Sequence, residues 1–115
     1  MNIEQTINLS EEELYKELGR ISKQYVENSK LGIRPPTKSQ IIKWGKSIFN
    51  DHIPKLKDLL CSNEKLRNFS INNSNKLDYA LLIMSLIQGK IGETSRIPII
   101  TVLIVMKGVN FLCDE

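Results

Sequence analysis

The last third of the chain constrains the fold most. Leu77–Ile87 and Ile97–Leu112 are almost entirely apolar, and they are joined by Gly89-Lys90-Ile91-Gly92-Glu93-Thr94-Ser95. A surface helix carries one apolar stripe, whereas a segment apolar all round has to be covered on every side. Only 76 residues precede the first of these segments, so covering both is demanding. The pattern predicts a buried C-terminal hairpin, with a partner subunit as a further source of cover.

Membrane insertion is not expected. A spanning helix needs ~20 apolar residues. The two segments have 11 and 16, and Lys107 lies inside the second.

The second segment is rich in β-branched residues: Ile97, Ile99, Ile100, Thr101, Val102, Ile104 and Val105. That composition favours a buried strand. Length argues the other way, because strands rarely exceed ~10 residues. No second strand-like run is available for pairing. Pro98 fits a first helical turn, and Thr94 or Ser95 can cap. The segment is therefore read as helix.

The earlier chain is punctuated by caps. Ser10 and Glu13 form a capping box, followed by Leu14, Leu18, Ile21 and Tyr25 at helical spacing, which predicts a helix from about Glu11 to Asn28. Pro35-Pro36 breaks the chain, and Thr37 with Gln40 opens a second box. Ile41, Ile42, Trp44, Ile48 and Phe49 then share one side, with Lys43, Lys46, Ser47 and Asn50 opposite. Asp51–Pro54 reads as a restart leading into a third helix with Leu56, Leu59 and Leu60. A short turn follows near Glu64–Asn68. The polar run Ser70–Asn75 is a break from which Ser74 or Asn75 would cap a helix over about Lys76–Gln88. The expectation is all-α: a compact bundle of about five helices with a buried C-terminal helical hairpin, as a single domain over residues 1–115, free or within a longer protein.

Charge is uneven. Residues 1–33 hold six acids and four bases, and residues 34–67 hold eight bases and three acids, a net +5 against −2. The middle segment is thus the basic part, and the two ends of the charge scale could pair within the chain or between chains. Arg34, Lys38, Lys43, Lys46, Lys55 and Lys57 are the candidate partner-binding residues. Against nucleic acid, Trp44 and Phe49 lie on the apolar side rather than forming a stacking platform. A second helix opening on Pro54 and Lys55 also lacks base-reading side chains.

Catalytic signatures are missing. Cys61 and His52 are the only nucleophile–base pair, and both ends of one short helix lie ~13 Å apart at 1.5 Å per residue. Asp51, His52, Asp58 and Glu64 offer no same-face metal pair. Two cysteines and one histidine cannot fill a structural zinc site unaided. Gly89-Lys90-Ile91-Gly92 matches no phosphate loop. No catalytic, cofactor-binding or metal residue is assigned. The N-terminus shows no secretory signal, so the expectation is cytoplasmic residence with Cys61 and Cys113 as reduced thiols. Abundant Asn, Lys and Ile give the composition of proteins from AT-rich bacterial or phage genomes.

The function expected from these residues is a non-catalytic helical module that binds another protein or itself, of adaptor, effector-associated or immunity type. Exposed parts of Ile97–Leu112 would be the anchor and the basic residues the charged rim. The alternative is a nucleic-acid-binding helical domain using residues 34–67.

Overall fold

The computed structural model describes residues 2–32, 34–67, 76–92 and 94–113. Among them there are helices and turns and no strand. The helices are α1 (Ile3–Thr6), α2 (Glu11–Arg20), α3 (Lys23–Leu31), α4 (Lys38–Leu60), α5 (Glu64–Arg67), α6 (Lys76–Ile87), α7 (Ile97–Lys107) and α8 (Val109–Cys113), with a 3₁₀ turn over Thr94–Arg96. The bundle is elongated, 50 × 27 × 25 Å.

Both expected capping boxes form. The Glu13 amide donates to Ser10 Oγ at 3.1 Å and the Ser10 amide to Glu13 Oε1 at 3.2 Å. Thr37 and Gln40 reciprocate in the same way, at 3.2 and 2.9 Å. Each box satisfies two backbone donors that a helix start leaves orphaned. A third box, Asn2 with Gln5, starts α1, a helix that periodicity did not indicate because it is a single turn.

The first predicted helix is in fact two. Ser22 ends the run: its hydroxyl donates to the Gly19 carbonyl and accepts from the Tyr25 amide, so it closes α2 and caps α3. A serine that bonds its local backbone competes with helix continuation. The second and third predicted helices are conversely one. α4 runs unbroken for 23 residues with Pro54 inside it. A proline forfeits one hydrogen bond in a helix interior. Here Phe49, Leu56 and Leu60 keep one continuous buried side across it, which holds the helix through the proline. No turn exists at Asp51–Pro54, so there is no helix-turn-helix there.

α7 is the centre of the molecule. Ile97 and all seven residues from Ile99 to Val105 are buried. α1, α2, α6 and α8 surround it. The β-branched segment is thus a helix, as its length indicated, and one chain suffices to cover it. The Thr101 hydroxyl avoids an unsatisfied burial by donating to the Ile97 carbonyl at 2.7 Å. Neither Thr94 nor Ser95 is the cap: α7 follows the 3₁₀ turn with Arg96 at the N-cap and no side-chain cap bond. The apolar segment also stops short of Leu112. Gly108, at φ +85°, ends α7 and turns the chain into α8. Such a φ is cheap only for glycine.

The expected break at Ser70–Asn75 and its capping residues lie outside the described residues. Among the described residues, no helix is long and apolar enough to cross a membrane.

Candidate interaction surface

The surface that stands out is built where α2 crosses α4. Gly19 and Gly45 make the crossing. A Cβ on Gly19 would overlap the Ile41 carbonyl oxygen, and one on Gly45 would overlap that of Tyr15. Backbone therefore meets backbone, and the flanking side chains are forced outward along the two edges of the contact.

Tyr15 is the hub of one edge. Its ring is buried and meets Phe49 edge-on, with centroids 6.1 Å apart and an interplanar angle of 73°. Two ammonium groups flank it: Lys46 Nζ at 5.7 Å from the ring centroid and Lys107 Nζ at 5.9 Å. Lys107 Nζ also stands 4.8 Å from the ring of Phe111. Attraction of a cation to a ring face is worth roughly 0.5–1 kcal/mol at a wet site. Glu11 completes the group with an ion pair to Lys107 at 2.9 Å.

The electrostatics follow from these pairings. The hydrogen bond from Lys107 holds the Glu11 carboxyl below its ordinary value, and the same bond raises Lys107. Burial pushes the Tyr15 phenol up. Next along α2, Glu12 pairs with Lys38 at 2.7 Å, which lowers the carboxyl and raises the amine. An open depression of about 600 Å³ lies beside this network, lined by Ser10, Glu11, Glu12, Tyr15, Ile42 and Lys46.

Apolar exposure coincides with this charge. Phe111 is 50% exposed and Met106 41%, and they are the exposed large apolar residues of the C-terminal segment. The anchor expected from Ile97–Leu112 is thereby reduced to these two side chains, because Ile97 and Ile99–Val105 are buried.

The basic residues named from sequence fall into four groups. Lys43, Lys46 and Lys57 share one exposed stripe of α4 with Ser39 and Asn50, Lys43 and Lys57 being ~21 Å apart along the axis. Lys38 is engaged by Glu12. Lys55 is exposed off the stripe. Arg34 sits apart, on the extended stretch before α4, where it lines a second depression of about 320 Å³ with Tyr25, Asn28, Gly32, Pro35 and Pro36.

The cysteines overturn the expectation of reduced thiols. Cys61, just after α4, and Cys113, the last residue of α8, form a disulfide, with Cα atoms 5.5 Å apart and a sequence separation of 52. Nothing in that spacing announces the pairing, which arises because α8 folds back onto the end of α4. His52 lies on α4 nine residues before Cys61. Burial, with help from the Arg96 cation and against Asp51, pushes the His52 imidazole below its ordinary value. Among the described residues no group of three His, Cys, Asp or Glu is placed to hold a metal ion.

Sequence reasoning missed Tyr15, Lys107 and Phe111 as a unit. Lys107 was the one available signal: a single charge inside a long apolar run has to surface somewhere. No family model matches the chain, and no curated protein or solved structure matches it either.

Proposed function

We propose that this chain is a non-catalytic helical interaction module, of the adaptor, effector-associated or immunity type, which docks a protein partner or a second copy of itself on the face that carries Phe111. The carrying observation is the coincidence of a half-exposed aromatic with Lys107, Lys46 and an open depression at the α2–α4 edge. Interfaces draw their energy from such apolar anchors and their orientation from the charged rim around them.

Two chemical facts support the non-catalytic part. Cys61 is bonded to Cys113 and so is not a free thiolate. His52 stands on the same helix as Cys61, ~13 Å along the axis, so the two do not form a nucleophile–base pair.

The test is solution mass by light scattering at low and high salt, with absorbance at 260 and 280 nm. A salt-insensitive dimer that Phe111→Ser converts to monomer supports the reading. Nucleic acid instead would give a 260 nm signal that falls with salt and disappears in Lys43→Glu/Lys46→Glu, since phosphate contacts are lost steeply as salt rises. Monomer at both salts, without nucleic acid, and unchanged by Phe111→Ser, counts against self-association as the mode of binding.

A further inference from the structure

α8 is held in place from two sides. It has five residues, too few to persist as a helix in water without tertiary support. Gly108 joins it to α7 at a φ of +85°, a natural pivot. Val109 and Leu112 are buried on its inner side, while Phe111 on its outer side lies under the Lys107 ammonium. The last residue, Cys113, is bonded to Cys61 at the end of α4. Both cysteines are partly exposed rather than sealed in the core. Elsewhere the packing does not run through the sulfurs: α2 and α4 meet at their glycine crossing, and α7 packs against α1, α2 and α6 as well as α8.

We propose that the Cys61–Cys113 disulfide is a redox latch: oxidised, it clamps α8 and the Phe111 face onto the bundle; reduced, it releases α8 while the helical core stays folded. In giving Phe111 a binding role, this rests on the interaction reading above. The chemistry is thiol–disulfide exchange. The thiolate of one cysteine attacks a small disulfide RS–SR, forming a mixed disulfide and expelling RS⁻. The thiolate of the other displaces the second RS⁻. Two protein thiols and RS–SR thus become the protein disulfide and two RSH. A dithiol runs the process backwards and leaves as its own cyclic disulfide.

Local opening of a segment is read directly by amide hydrogen exchange. The full-length chain is compared with and without dithiothreitol, and its thiols are titrated in both states. The expected result is no reactive thiol before reduction and two after, with exchange over residues 109–113 at least tenfold faster and exchange around Gly19 and Gly45 unchanged. Cys113→Ser should show the fast pattern without reductant. Unchanged exchange over 109–113 overturns the latch, because α8 would then stay docked without the bond. Equal acceleration in α2 and α4 also overturns it, because the bond would then be a staple of the whole fold. Two reactive thiols in the protein before reduction overturn it as well. None of these readouts involves a partner. If Phe111→Ser leaves association unchanged while the exchange pattern holds, self-association through Phe111 falls and the latch stands.

Discussion

Gly45 of α4 lies so close to Tyr15 of α2 that a Cβ at position 45 would overlap the Tyr15 carbonyl oxygen and stand 2.7 Å from its carbonyl carbon. The obstacle is backbone, which cannot swing aside as a side chain can. Gly45→Ala gains about 1 kcal/mol of helix propensity. It also wedges the two longest-contacting helices apart, and overpacking of this kind costs about 1–3 kcal/mol or more. Because the obstacle is rigid backbone, the cost should fall at the top of that range, for a net loss of up to about 2 kcal/mol, read as a lower urea midpoint. Gly19→Ala should behave alike, since its Cβ would overlap the Ile41 carbonyl oxygen. A rise in midpoint for either variant would show that the helices are not in close backbone contact.

α7 makes a graded prediction along its length. Leu103→Ala removes a fully buried side chain and should cost about 2–5 kcal/mol. Met106→Ala, three residues on and exposed, should stay within about 0.5 kcal/mol of the parent. Chemical denaturation of both distinguishes an enclosed central helix from one that presents a side to solvent, for which the two costs would converge.

Acid stability should depend on His52. Its folded pKa lies below the ordinary 6.5, chiefly because burial disfavours the imidazolium. The unfolded chain therefore binds the proton more readily than the folded one. The folded state is unpenalised above pH 6.5 and loses stability as pH falls from there through the folded pKa. His52→Gln should flatten the stability–pH curve in that window. An unaltered slope would mean that the imidazole is as hydrated in the folded protein as in the unfolded chain.

The Glu11–Lys107 pair should contribute modestly. Glu11 is about half exposed and Lys107 a quarter exposed, so solvent screens their attraction. A double-mutant cycle with Glu11→Gln and Lys107→Met should give a coupling of about 0.5–1 kcal/mol that shrinks in high salt. Glu11 is lowered and Lys107 raised, so this contribution is present between their ordinary values, 4.5 and 10.5. It is lost as pH falls through the Glu11 folded value or rises through that of Lys107. A coupling of zero at low salt would remove the pair from the account of how Lys107 is held over Tyr15 and Phe111.

Local signals were legible in the residues themselves. The boxes at Ser10–Glu13 and Thr37–Gln40 act within one turn, so adjacent residues suffice to specify them. Of the two apolar runs read as a buried hairpin, that of α7 does form the centre of the core, whereas α6 leaves Leu77 and Leu81 exposed. Lys43, Lys46 and Asn50 share an exposed side of α4 as helical spacing indicated, whereas Lys57 joins that stripe only because α4 runs unbroken through Pro54.

Other features depend on distant partners. Pro54 fails to split a helix because burial of Phe49, Leu56 and Leu60 outweighs one missing hydrogen bond. Gly19 and Gly45 look like weak points of two separate helices until the helices cross there. Cys61 and Cys113 are 52 residues apart, and only the return of α8 to the end of α4 joins them. Tyr15, Lys46, Lys107 and Phe111 come from four different helices. What the sequence determined alone was the all-helical class, the two capping boxes at Ser10 and Thr37 and the burial of the α7 segment, all set by interactions within a few residues or by solvent. The tertiary structure decided which helices merge, where backbones touch, which sulfurs bond and which aromatic stays wet, since each of these turns on side chains that meet only after the chain has packed.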